Sequence, residues 1–135
     1  MRLTFVDAGV LIAAARGGTE QAARALAILD DPDRQFAASV FLRLEVLPQA
    51  AFHKRQTEVA FYEASFGAVG TWVTDLPAVT ELALREASTC GVEAMDALHV
   101  AAAALAGASE LVTAEKPARS IHRARAVKVV TIHPA

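Results

Sequence analysis

A single cysteine, Cys90, stands among 135 residues, so no intrachain disulfide can form and nothing in the thiol content points to an oxidising compartment. With no histidine spaced to activate it, Cys90 is expected to be a small, half-buried residue beside a helix end. Aromatic residues make up only 6%, and Phe61, Phe66 and Trp72 follow no regular spacing and have no basic residues between them. They read as core, not as a platform for stacked bases. No apolar run reaches the roughly 18 residues of a membrane span. Arg2, Asp7 and Arg16 bound the first one, and Asp96 and His99 interrupt the alanine-rich one. The N-terminus lacks the basic start and cleavage site of a signal peptide, and a cytoplasmic location with no membrane partner is expected. Also missing are a GxGxxG after a strand and, beside Gly17-Gly18, the lysine and serine or threonine of a phosphate loop. Nucleotide cofactors are therefore not expected, and His53, His122 and His133 show no ligand spacing.

What is present describes a compact domain. Hydrophobic residues make up 54% and charged residues 21%, and the length suits one domain over 1–135 with a real core. Charge is distributed unevenly: residues 1–115 hold all fifteen acids against eight Lys and Arg, whereas 116–135 hold Lys116, Arg119, Arg123, Arg125 and Lys128 with no acid. Such a basic tail either contacts phosphates or offsets an acidic body.

Short apolar runs alternate with helical patterns, which implies a parallel sheet covered by helices on both faces. Strands are expected near 3–6, 35–38, 71–74, 110–113 and 127–132. Helical patterns occupy 10–15, 19–29, 40–52, 56–66, 75–90 and 94–106, with Ser39 and Asp75 as N-caps. Pro48 is expected to kink or break the third helix unless it lies near a joint.

Four carboxylates interrupt this apolar pattern. Asp7 ends the first strand and begins a helix, so it is either an N-cap or a ligand at the carboxyl edge of the sheet. Glu45 is flanked by Leu42, Leu44, Val46 and Leu47, which leaves it no wholly polar face; Arg43 is a candidate partner. Asp96 lies in the first turn of the alanine-rich helix, where the helix dipole favours a carboxylate. Glu115 follows the fourth strand and emerges at the same edge as Asp7. Four acids brought to ~5 Å would repel by roughly 3 kcal/mol per pair at an effective dielectric near 20, and protons or a cation must offset that. All-oxygen ligands favour magnesium or manganese. His99, three residues after Asp96, is either a domain-internal histidine or a group that orients that carboxylate or a water.

These residues together resemble the PIN-domain family, in particular its VapC-type toxin ribonucleases. The resemblance rests on Phe5-Val6-Asp7 with Val10-Leu11-Ile12, on Ser39 to Glu45, and on Met95-Asp96-Ala97-Leu98-His99-Val100-Ala101 followed by Leu111-Val112-Thr113-Ala114-Glu115. It implies a three-layer α/β/α sandwich with a parallel central sheet, a Mg²⁺ or Mn²⁺ site, hydrolysis of RNA phosphodiester bonds, a homodimer and a cognate antitoxin. Asp7, Glu45 and Asp96 match the family's three usual acids. Glu115 stands where aspartate is commoner, Gly9 where serine, threonine or asparagine is, and Lys116-Pro117-Ala118-Arg119 lacks the aromatic that often follows the fourth acid. Thr113 is a candidate partner for a carboxylate or water, and Arg16, Lys116 and Arg119 are candidates to hold the RNA backbone. Two other readings compete: a non-catalytic protein-binding module of the same fold, and a receiver-like phosphoacceptor built on Asp7, Asp75, Thr113 and Lys116.

Overall fold

The computed structural model describes residues 1–134. The elements run β1 (Arg2–Val6), α1 (Ala8–Arg16), α2 (Glu20–Leu29), β2 (Arg34–Ser39), α3 (Val40–Phe52), α4 (Gln56–Gly67), β3 (Thr71–Val73), α5 (Leu76–Cys90), α6 (Ala94–Ala106), β4 (Glu110–Thr113), a 3-10 turn over Ser120–Arg123, and β5 (Val129–Thr131). All four strand pairings are parallel, and the strand order is β3-β2-β1-β4-β5. The chain starts at the centre of the sheet, builds outward through β2 to β3, then crosses back through α5 and α6 to β4. That reversal opens a crevice between the carboxyl ends of β1 and β4, which is where ligands bind in open α/β sheets.

Strand alternation creates the three layers. Val6, Ala38 and Val112 face a core filled by α1 to α4, whereas Phe5, Ala37 and Leu111 face the core under α5 and α6. Small side chains explain how closely the second layer packs: Ala97, Ala101, Ala102 and Ala103 of α6 are all buried at 1% exposure or less. A single α6 turn of larger residues would push that helix off the sheet. No helix among the described residues is long and apolar enough to cross a membrane.

Four local expectations need correction. Pro48 neither breaks nor visibly ends α3, which continues to Phe52. Its missing N–H leaves the Leu44 carbonyl without its helical donor, but Leu44 and Pro48 share the exposed face, which is open to solvent. That exposed face also means Glu45 is not enclosed by leucines: Leu44 is 63% exposed. Trp72, expected in the core, lies on the edge strand β3 at 36% exposure, while Phe66 is buried. The Arg43 guanidinium stacks over both rings, 5.6 Å from Phe66 and 6.0 Å from Trp72, so it is not the partner of Glu45.

Candidate active site

The first acid is held rigidly. Asp7 is the N-cap of α1, where Val10 N donates to its Oδ1 at 3.3 Å, and the Thr113 hydroxyl donates to its Oδ2. Asp7 N also donates to the Val112 carbonyl, which locks the end of β1 to β4. The helix-cap reading and the site reading are therefore both realised in one side chain. Only 5% of Asp7 is exposed. Burial pushes its carboxyl above the usual range, Glu115 adds to that, and the Thr113 hydroxyl, His99 and Val10 act against it.

Glu115 follows β4 on a backbone held from three directions. Its N–H donates to Thr113 Oγ1 at 3.1 Å, and its carbonyl accepts from Thr131 Oγ1 at 2.6 Å and pairs with His122 Nε2 at 3.1 Å. The side chain is freer, 41% exposed, with Arg119 Nε 3.5 Å from Oε2. Asp96 enters from the first turn of α6, and its carboxyl is pushed up to about 6, by burial first and then by the negative charges of Asp7, Glu115 and Glu93, with His99 opposing. The charges of Asp7 and Glu115 both act on Asp96, and that of Glu115 acts on Asp7, so three carboxylates from three separate elements lie near one edge.

Glu45 joins them through a histidine. His99, only 1% exposed, lies with Nε2 2.6 Å from Glu45 Oε1, and its ring packs against Phe5. Of the roles considered for this residue, the internal hydrogen bond is the one found, although its partner is Glu45 and not Asp96. His99 Nδ1 is buried with no partner among the described residues.

Ser39 is a residue that sequence reasoning treated as a cap. It occupies the N-cap position of α3 but makes no capping bond, and its hydroxyl is buried and unpartnered. Since β1 and β2 pair in register through Phe5 and Ala37, Ser39 leaves the sheet at the level of Asp7. An idle serine hydroxyl was invisible in a sequence where serine before a helix is commonplace.

Gly9 has a steric cause. A Cβ there would meet the Ala114 Cβ at 2.9 Å, so the side chain common in the family has no room while α1 lies this close to the end of β4. Arg16 is exposed but already paired, Nε to Glu58 Oε1 at 3.1 Å, and Lys116 is exposed. The receiver-like reading loses its geometry: Asp75 caps α5 through Ala78 N at 3.1 Å, after an edge strand separated from β1 by β2.

Among the described residues, no three His, Cys, Asp or Glu side chains stand close enough to hold a metal ion as they are arranged. Their mutual repulsion is instead relieved by internal donors: Thr113 and Val10 for Asp7, His99 for Glu45, Arg119 for Glu115. The donor set still fits a hard divalent cation, being all carboxylate oxygen, and the Ser39 hydroxyl, at the level of Asp7 in the sheet register, is without a partner. Glu115, with a side chain 41% exposed, is the freer of the two glutamates, whereas Glu45 is held by His99.

A PIN-domain family model matches residues 4–123, and the chain belongs to that family. Among solved structures, the chain is similar to a crystal structure of VapBC2 from Rickettsia felis bound to a DNA fragment from their promoter. The two share 13% identity with a TM-score of 0.69, over 96% of this chain and 98% of that one. At that identity the likeness is one of fold. No curated protein matches the sequence significantly.

Proposed function

We propose that this protein is a Mg²⁺- or Mn²⁺-dependent endoribonuclease of the VapC type, the toxin of a type II toxin–antitoxin pair acting in the cytoplasm. The observation that carries the reading is that Asp7 ends β1 and bonds Thr113 of β4, with Glu115 just beyond β4 and Asp96 of α6 feeling both their charges at the crevice between those strands. Membership of the PIN family and the fold shared with a VapBC assembly support it.

Asp7, Asp96, Glu45 and Glu115 would hold the cation. When bound, it supplies an activated water and neutralises charge on the scissile phosphate. The chain's own contribution is orientation. Thr113 and Val10 fix both oxygens of Asp7, and His99 fixes Glu45. No side-chain nucleophile is needed. A homodimer and a cognate antitoxin belong to the same reading, which the fold shared with VapBC2 supports.

Incubation of single-stranded RNA with the purified protein and Mn²⁺ or Mg²⁺ is expected to give cleavage that EDTA abolishes. Asp7→Asn and Asp96→Asn should each lower the rate by at least about 100-fold, as loss of a charge-stabilising group does. Unchanged cleavage in both variants defeats the mechanism. No cleavage together with no Mn²⁺ binding by calorimetry favours the non-catalytic module.

A further inference from the structure

A groove of about 310 Å³ opens beside Glu45, between α1, α3 and α4. Its floor is Ile12, Val46 and the buried Tyr62, and its polar rim includes Arg16 and Arg55. Both arginines converge on one carboxylate: Arg16 Nε lies 3.1 Å from Glu58 Oε1 and Arg55 Nε lies 3.6 Å from Glu58 Oε2. The Tyr62 hydroxyl donates to Glu58 Oε1 at 3.2 Å, and burial together with Glu58 pushes that hydroxyl up to about 12, so it stays a donor. Glu58 is 13% exposed, whereas the arginine side chains are 56% and 47% exposed. One shielded acid therefore anchors two exposed guanidiniums by their Nε edges. Glu58 offsets only one of the two positive charges, and both arginines line a groove that has the candidate catalytic Glu45 in its wall.

We infer that this groove is a backbone subsite for RNA, in which Arg16 and Arg55 bind a phosphate next to the scissile one, and in which Glu58 holds them ready and competes with that phosphate. The inference rests on the ribonuclease reading. Guanidinium forks match phosphate oxygens, and the Glu45 end of the groove leads the strand to the cation-binding acids. A purely structural network and a phosphate subsite predict opposite signs at Glu58. If Glu58 only ties α1 to α4, its loss loosens the groove and weakens binding. If it competes with RNA, its loss frees both arginines and tightens binding.

The test is fluorescence anisotropy of a labelled single-stranded ten-nucleotide RNA on Asp96→Asn protein without divalent ions, over a salt series. Arg55→Gln and Arg16→Gln should each weaken binding roughly five- to tenfold and make the slope of log K against log salt shallower by about 0.7. Glu58→Gln, in which the amide oxygen still accepts from Tyr62, should tighten binding several-fold and steepen the slope. Weaker or unchanged binding in Glu58→Gln, or unchanged binding in both arginine variants, overturns the subsite while RNA cleavage by the wild-type chain still stands. Hexaglutamate that displaces the RNA at equal concentration would assign the groove to an acidic protein segment and overturn it as well. Wild-type protein that neither binds nor cleaves RNA removes the ribonuclease reading and the subsite together.

Discussion

Asp96 is the acid of the site with no hydrogen bond or ion pair among the described residues, and its carboxyl is held near 6 against a usual 3.8. Ionised Asp96 therefore costs the fold stability at neutral pH, a cost that is relieved as pH falls through 6 toward 3.8. Replacing it with asparagine removes the charge and keeps the shape. Metal-free Asp96→Asn is expected to melt higher than wild type near pH 7.5 (about one unit or more above the native value), with the gain shrinking as the wild-type carboxyl protonates. A thermal midpoint that falls, or a gain independent of pH, would show that Asp96 has a structural partner. His99 also costs stability, for a different reason. Burying an imidazole with one nitrogen idle costs on the order of 1–3 kcal/mol, and the fold bears that to hold Glu45 in one orientation. Asp96 and Glu45 stand out in the sequence as acids in apolar surroundings, but the Glu45–His99 pair spans 54 positions and two elements. No local pattern encodes it.

At the scale of elements, α1 and the end of β4 form one mechanical unit. Gly9 lets α1 approach Ala114, Asp7 caps α1 while bonding Thr113, and Gln21 at the start of α2 donates to the Ala114 carbonyl at 3.0 Å. Gly9→Ser restores the residue type common in the family but places its Cβ against Ala114. It should destabilise the protein by about 1–3 kcal/mol in urea unfolding, the usual cost of overpacking. The double variant Gly9→Ser/Ala114→Gly should recover most of that loss. Equal loss in the single and double variants would mean that the contact is not what forbids serine. Helix limits were largely legible because caps and stops are local: Asp75 begins α5, and Gly91 and Gly107, at φ of 70° and 75°, end α5 and α6 in the left-handed region that favours glycine. Pro48 was not legible, because its effect depends on whether the freed Leu44 carbonyl meets water or protein.

Across the whole molecule the two edges of the sheet respond to pH in opposite ways. At the amino edge, Arg34 Nη1 lies 2.7 Å from Glu110 Oε1 and 2.9 Å from Thr4 Oγ1, and Arg2 adds a contact to Glu110 at 3.3 Å. Burial works against the ionised Glu110, but the Arg34 and Arg2 guanidiniums outweigh it and hold the carboxyl below its usual range. Its stabilising contribution is present above the unfolded value and lost as pH falls through the folded one. Glu110→Ala leaves Arg34, whose side chain is 9% exposed, without that partner. Because Asp31 Oδ2 still pairs with Arg34 Nε at 3.1 Å, the variant should cost about 1–3 kcal/mol in denaturant unfolding and flatten the acid limb of the stability profile. A cost under about 1 kcal/mol would place the pair among surface ion pairs. Acid therefore weakens the amino edge while it relieves the carboxyl edge, where Asp7 and Asp96 repel.

By itself the sequence determined the alternation of strands and helices, the α/β class, the positions of the strands and the identity of the acids, because each follows from periodicity or capping within a few residues. Only the tertiary structure decided which neighbours those residues meet. Strand order put β3 at the edge, which removed Asp75 from the site and exposed Trp72. Packing of α3 and α6 over that order joined Glu45 to His99, and the β1–β4 crevice coupled Asp7 to Asp96 and Glu115. Such pairings depend on strand order and helix packing over long loops, and many sequences with the same local pattern could be wound otherwise.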